Sequence, residues 1–156
     1  MYKTIFFGTP DFAVAPLQAL ASDKRFNISL VISQPDKAIG RKQIVTPTQV
    51  KQAALELGIP VEQPTKIRTA EFAELLRKES PDFIVVVAYG RIIPKEILEI
   101  PTYGVINIHG SILPDYRGAA PVQASLLHGD KETGVTIMLM SEGLDEGDIL
   151  HIERKE

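Results

Sequence analysis

The sequence predicts an α/β fold: an open, mostly parallel sheet with helices on both faces. Three observations point to it. Short apolar runs rich in β-branched and aromatic residues occur at Thr4–Phe7, Ile28–Ile32 and Phe83–Ala88, and unbroken runs of this kind suit strands buried on both faces. Between them, apolar residues return every three or four positions over Phe12–Leu20, Gln49–Leu57 and Ala70–Leu76, the period of a helix with one buried face. The resulting order of strand, helix, strand, helix builds right-handed crossovers, and sheets made this way carry their sites at the carboxyl ends of the strands.

In chain order, the first run leads into Phe7-Gly8-Thr9-Pro10-Asp11-Phe12, where a dinucleotide-binding domain would hold its glycine fingerprint. One glycine stands there, and Pro10 lacks the backbone donor that a pyrophosphate uses, so a nicotinamide or flavin dinucleotide is not expected. Thr9 or Asp11 reads equally as a plain helix cap. Gly58 supplies the stop of the second helix. The connection Gln34–Thr48 is long for a strand-to-helix link and has two readings, a functional segment or a solvated mobile loop. Later elements are a strand at Val105–His109, a helix at about Pro121–His128 closed by Gly129, and strands at Thr136–Met140 and Ile149–Ile152, in an order that makes the sheet mixed. No repeat or low-complexity segment interrupts the chain, and 156 residues suit one domain with one core. The last strand pattern runs to Glu153 with three charged residues after it, so residues 1–156 are expected to form a domain incomplete at its C-terminal end.

Composition narrows the class further. Hydrophobic residues make up 44% and charged residues 24%, values typical of a globular chain. No apolar run reaches the roughly 18 residues of a membrane span, and the first run is too short for a signal peptide; no membrane partner and a cytoplasmic location are expected. There is no cysteine, which excludes disulfides, thiolate metal sites and a cysteine nucleophile and leaves three histidines and the carboxylates for acid–base work. A net charge of −3 argues against a basic nucleic-acid footprint over the whole domain while allowing a local patch.

Two segments hold the candidate chemistry. In Gly104-Val105-Ile106-Asn107-Ile108-His109-Gly110-Ser111-Ile112-Leu113-Pro114, the alternation of a strand puts Val105, Asn107 and His109 on one face and Ile106 and Ile108 on the other. Asn and His in the last positions of a buried strand suit a crevice at its carboxyl end; a satisfied turn amide and a hydrogen-bonded core histidine are the plainer alternative. In Met140-Ser141-Glu142-Gly143-Leu144-Asp145-Glu146-Gly147-Asp148-Ile149, four carboxylates crowd a Gly-rich loop. Crowding raises the pKa of the least solvated carboxylate and lets it accept a proton near neutrality, and Asp145, next to Leu144 and flanked by Gly143 and Gly147, is the candidate. An ordinary solvated turn is the alternative, and the loop lacks the Asp/Asn ladder of a calcium site. A Ser111–His109–Asp145 hydrolase triad is not expected, because no Gly-x-Ser-x-Gly elbow occurs.

Asn107-x-His109-Gly110-Ser111-x-Leu113-Pro114, then Arg117-Gly118-Ala119-Ala120-Pro121 and Gly143-Leu144-Asp145-x-Gly147-Asp148, resemble the folate-dependent formyltransferases over essentially the whole chain. Gly8-Thr9-Pro10-Asp11-Phe12-Ala13, Gln34-Pro35-Asp36 with Gly40-Arg41-Lys42, and Val87-Ala88-Tyr89-Gly90-Arg91-Ile92-Ile93-Pro94 are similar to the branch of that family that acts on methionyl-tRNA. The resemblance implies a Rossmann-like formyltransferase fold, without a metal, in which 10-formyltetrahydrofolate gives its formyl group directly to the amino group of methionyl initiator tRNA and leaves as tetrahydrofolate. It implies Asn107, His109 and Asp145 as catalytic residues. Folate contacts are implied at Tyr89, Gly90, Arg91 and Ile92, at Ser111, Ile112, Leu113 and Pro114, and at Met140, Glu142 and Leu144. Lys37, Arg41 and Lys42 of the Gln34–Thr48 segment are implied as tRNA contacts. A monomer is expected, and the family's C-terminal β-barrel that binds tRNA is absent from these 156 residues. Asp115-Tyr116 stands where relatives carry basic or aromatic pairs, and the acid removes positive charge near the site. The alternatives are a formyltransferase acting on a sugar nucleotide or glycinamide ribonucleotide, a water-using deformylase, and a folate-binding module without turnover.

Overall fold

The computed structural model describes residues 1–156. Its elements are β1 (Tyr2–Gly8), a 3-10 turn (Asp11–Ala13), α1 (Val14–Ser22), β2 (Phe26–Ile32), β3 (Lys37–Ile39), β4 (Ile44–Thr46), α2 (Gln49–Glu56), β5 (Val61–Glu62), α3 (Ala70–Glu79), β6 (Phe83–Val87), α4 (Lys95–Leu98), β7 (Val105–His109), α5 (Pro121–His128), β8 (Thr133–Leu139) and β9 (Ile149–Lys155). Seven strands form one sheet in the order β5-β2-β1-β6-β7-β8-β9. The first five run parallel, whereas β8 is antiparallel to β7 and β9 to β8. The sheet is therefore open, mostly parallel and mixed at one edge, as the sequence predicts.

Alternation along the strands divides the core between the two faces. Ile5, Phe7, Leu30, Ile32, Ile84 and Val86 pack with Phe72 and Leu76 of α3 and Ile97 of α4. Phe6, Val31, Val85 and Val87 pack with Leu17 of α1 and Val50, Ala53 and Ala54 of α2. Gly8 lets the first turn approach the sheet closely: a Cβ there would lie 2.8 Å from a Phe6 ring carbon and 2.9 Å from the Ala13 Cβ, nearer than real Cβ atoms come, and a tight 3.0 Å from the Val87 carbonyl oxygen.

Several sequence expectations change in detail. The Phe12–Leu20 pattern begins as a 3-10 turn and becomes α-helical only at Val14. A helix starting at Phe12 would need the missing amide of Pro16 for its Phe12 carbonyl, whereas a start at Val14 puts Pro16 in the first turn, where amides are free anyway. Neither Thr9 nor Asp11 caps that helix; the Thr9 hydroxyl instead donates to the Tyr89 carbonyl at 2.8 Å and joins the exits of β1 and β6. The third helix continues to Glu79 and ends at Ser80 in the left-handed region, φ 48°. The Gln34–Thr48 segment contains a β-hairpin, β3 paired antiparallel to β4. All of β3 and most of β4 are exposed, so no burial pattern marked them in the sequence, and the two-residue β5 is too short to leave one.

The hairpin is held at its root. Asp36 accepts from the Lys51 ammonium at 2.7 Å and from the Gln63 amide at 2.6 Å, and Ser33 and Thr48 share a hydroxyl hydrogen bond of 2.6 Å. Thr48 also caps α2 by accepting from the Lys51 amide at 3.1 Å. The Lys51 hydrogen bond first, then that of Gln63, holds the Asp36 carboxyl below the usual carboxylate range. A carboxylate with a lowered folded pKa contributes stability above its unfolded pKa and loses it as pH falls through the folded value. The unfolding midpoint is therefore expected to drop more steeply between about pH 5 and pH 3 in the wild-type chain than in Asp36→Asn. Urea titrations at several pH values check this, and parallel slopes would rule out an electrostatic latch.

Candidate active site

β7 lies between β6 and β8, with Val86 beside Asn107 on one side and Met138 on the other. Its burial alternates as the sequence predicts. Val105, Asn107 and His109 are buried, at 1%, 9% and 7% exposure, while Ile106 and Ile108 face the other side and pack on the α1–α2 core. Two polar side chains therefore stand in sequence on the face that carries α3 and α4, within a strand whose other contacts are apolar.

Asp145 reaches them from the loop between β8 and β9. Because β8 is antiparallel, it delivers the chain beside Val105, whose carbonyl accepts from the Met140 amide at 2.7 Å. The loop then crosses the face of β7. It closes tightly, with the Leu139 amide donating to the Asp148 carbonyl at 2.8 Å, and a Cβ on Gly147 would collide with the Leu139 carbonyl. Asp145 itself is in the left-handed region, φ 51°, a conformation Asp tolerates better than most residues. Its side chain is 9% exposed.

The structure brings the three residues together. Asp145 Oδ1 accepts from Asn107 Nδ2 at 3.4 Å and lies 3.8 Å from His109 Nδ1, and Oδ2 accepts from the Gly118 amide at 2.8 Å. His109 Nε2 is 2.9 Å from the Tyr116 carbonyl oxygen; a carbonyl only accepts, so Nε2 carries a proton and Nδ1 faces Asp145. The Asn107 contact is long for an amide hydrogen bond, which leaves this donor free to turn to a ligand oxygen. Glu142, by contrast, is exposed and pairs with Lys95 at 3.4 Å, and Glu146 and Asp148 are exposed. Of the four carboxylates, Asp145 is the one turned inward.

Two rival arrangements are not formed. The Ser111 hydroxyl donates to the Asp115 carbonyl at 2.6 Å, so it is not aimed at His109 as a hydrolase nucleophile. No three His, Cys, Asp or Glu side chains converge as metal ligands, and no helix is long and apolar enough to cross a membrane.

The other expected contacts divide into accessible and buried groups. Ile92 and Leu144 are 65% and 58% exposed, and Gly90, Pro114 and Glu142 are also exposed. The Lys95–Glu142 pair and the packing of Met140 on the core containing Tyr89 and Ile93 bring the β6 exit and the acidic loop together. Arg91 is half-buried and donates to the Pro64 and Thr65 carbonyls at 3.2 and 2.8 Å. Tyr89 is buried against Phe7, with ring centroids 5.1 Å apart, and burial pushes its phenol up; its side chain is core rather than lining. Ser111 and Leu113 are buried, Ile112 is half-buried, and their turn is tied to Thr136 of β8. An open cavity of about 670 Å³ is lined by residues 112–116, 130–132 and Arg154. It includes none of Asn107, His109 and Asp145, and it is wide and open, so the side-chain constellation and not this cavity marks the site. Lys37, Arg41 and Lys42 are exposed on the β3–β4 hairpin. Sequence reasoning missed the Tyr116 carbonyl and the Gly118 amide, because backbone groups are the same at every residue; the glycine at 118 was the one available signal.

The chain matches the formyl transferase family over residues 2–156. Methionyl-tRNA formyltransferase from Caldicellulosiruptor saccharolyticus is 58% identical over 94% of this chain and 47% of that protein. The enzyme of the same name from Myxococcus xanthus is 53% identical over 97% of this chain and 48% of that protein. The chain thus spans about half the length of the curated relatives it matches. Among solved structures, phosphoribosylglycinamide formyltransferase from Bacillus halodurans superposes with a TM-score of 0.79 at 22% identity, over 98% of this chain and 79% of that one. A formyltetrahydrofolate deformylase from Pseudomonas syringae pv. tomato gives 0.74 at 24% identity, over 99% of this chain and 51% of that one. Identities this low show the shared fold, whereas the match over residues 2–156 and the relatives above 50% identity carry the assignment: the chain belongs to the formyl transferase family.

Proposed function

We propose that this chain carries the formyl-transferring site of a methionyl-tRNA formyltransferase, moving the formyl group of 10-formyltetrahydrofolate to the amino group of methionyl initiator tRNA. The observation that carries the reading is the inward Asp145 carboxylate within reach of Asn107 and His109 on one face of β7. The more than 50% identity to relatives of that name supports the choice of acceptor.

The three residues suit direct attack by an amine. The amine nitrogen bonds to the formyl carbon while the carbonyl electron pair moves to oxygen. Asn107 Nδ2–H and the His109 ring stabilise that oxygen, and they act where charge appears only as the carbon becomes tetrahedral. Asp145 takes the proton that the amine loses, directly or through one water. The oxygen electron pair then re-forms the carbonyl as the bond between the formyl carbon and the folate nitrogen breaks, that bond's electron pair leaves with tetrahydrofolate, and the nitrogen takes up the proton that Asp145 received from the amine. No protein atom bonds to the formyl carbon at any stage. Exposed Ile92 and Leu144 offer apolar surface to the folate ring, and the hairpin residues Lys37, Arg41 and Lys42 offer charge to tRNA phosphates.

Product analysis tests the reading. Formylated methionyl-tRNA is expected when the chain is given 10-formyltetrahydrofolate and methionyl-tRNA; free formate alone, or a formylated nucleotide with no formylated methionyl-tRNA, would overturn it. Asn107→Ala and Asp145→Ala are each expected to lower kcat by about 100- to 1,000-fold while donor binding, followed by fluorescence titration, stays close to that of the wild type. Replacing Lys37, Arg41 and Lys42 together by alanine is expected to flatten the plot of log K for tRNA against log salt by about two units, since each phosphate contact contributes roughly 0.7 to 0.9. An unchanged slope would remove the hairpin from the tRNA interface.

A further inference from the structure

We infer that Tyr116 and Asp130 form a positioning clamp for the catalytic histidine: their side-chain hydrogen bond holds the Tyr116 backbone carbonyl on His109 Nε2, so that Nδ1 is always the nitrogen presented to Asp145. The clamp deepens the formyl-transfer reading and rests on it for the meaning of His109, although its geometry does not.

The segment from Asp115 to Gly118 supports two of the three catalytic residues, His109 and Asp145, with backbone atoms. The Tyr116 carbonyl accepts from His109 Nε2 at 2.9 Å, and the Gly118 amide donates to Asp145 Oδ2 at 2.8 Å. Tyr116 does this in the left-handed region, φ 56°, where a bulky side chain is strained and persists only if its surroundings over-determine it. Three interactions do so. The Tyr116 hydroxyl donates to Asp130 Oδ2 at 2.5 Å, the Ser111 hydroxyl donates to the Asp115 carbonyl at 2.6 Å, and the Asp115 amide donates to the Ile112 carbonyl at 3.1 Å. The Tyr116 ring also lies 5.5 Å from that of His128, at the end of α5. Asp130 stands just past Gly129, the residue that closes α5, so one helix end anchors the loop from outside the catalytic face.

The Asp130 hydrogen bond pushes the Tyr116 phenol up to about 12; a phenol keeps its proton throughout the neutral range in any case, and here the donated hydrogen bond holds it further into the alkaline range. Because the Tyr116 carbonyl accepts and never donates, a neutral His109 held against it has its proton on Nε2 and its lone pair on Nδ1. Proton gain and loss are then confined to the nitrogen on the Asp145 side. If the loop relaxes, the imidazole is free to take the other tautomer or to rotate, and either change misplaces the donor by an amount that costs rate steeply.

The test uses Tyr116→Phe and Asp130→Ala, with Asp130→Asn as the conservative variant because its amide oxygen still accepts from the phenol. In two-bond ¹H–¹⁵N spectra of the wild-type chain above the His109 titration, His109, assigned by its disappearance in His109→Gln, is expected to show the Nε2–H tautomer. Tyr116→Phe and Asp130→Ala are expected to show mixed tautomers, while Asp130→Asn keeps the wild-type pattern. In formyl transfer, the first two are expected to lower kcat about tenfold with KM for the donor unchanged, the double variant to lose no more than either alone, and Asp130→Asn to stay within about twofold. A pure Nε2–H tautomer in folded Tyr116→Phe and Asp130→Ala overturns the clamp whatever the rates are. Absence of transfer in the wild-type chain, with the tautomer shift still present, sinks the formyl-transfer reading and leaves the clamp standing.

Discussion

An inward-facing carboxylate sets the terms for this structure. Burying the Asp145 charge is costly unless polar partners meet it, and they come from two separate pieces of chain: the Asn107 amide and His109 ring from β7, and the Gly118 amide from the loop before α5. Removing any one of them leaves largely buried charge or polarity unmatched. The left-handed backbone at Asp145 and Tyr116 and the close approach at Gly147 are conformational costs that make sense as the means of assembling those donors around one residue.

The sheet topology makes that assembly possible. Five parallel strands with helices on both faces build a rigid floor, and β7 is the last of them. The change of direction at β8 returns the chain to the opposite end of β7 from His109. The following loop is a hairpin connection to β9, which lies on the far side of β8 from β7, yet it folds back over the face of β7 so that Asp145 meets Asn107 and His109. The antiparallel edge starts that loop beside Val105, and the fold of the loop itself converts two residues of one strand into a three-residue site.

Legibility in the sequence followed physical scale. The strand at Val105–His109 and the helix at Pro121–His128 have the bounds that alternation and the Gly129 stop predict, the strand because burial alternates along it and the helix because Pro121 opens it and Gly129, in the left-handed region, closes it. The β3–β4 hairpin left no such mark: its side chains are mostly exposed, so nothing about them alternates. Thr9 looked like a helix cap because Thr before a helical pattern usually is one, yet its hydroxyl serves Tyr89 across the sheet, a partner 80 positions away that local reasoning does not reach. Tyr89 itself, expected at the folate surface, is buried against Phe7, since an aromatic ring after a core strand gains more from packing than from solvent.

The sequence by itself determined the fold class, the face shared by Asn107 and His109, and, through its motifs, the family, because side-chain alternation and residue identity are written into the chain. Residue chemistry made Asp145 a candidate among four carboxylates, and the family motif singled it out. Only the tertiary structure decided which of them turns inward and which backbone groups receive it, because that depends on a loop crossing a strand face and on carbonyl and amide positions that every residue possesses alike. The Tyr116 carbonyl on His109 belongs to the same category: its chemistry is generic, and its meaning comes entirely from where the fold puts it.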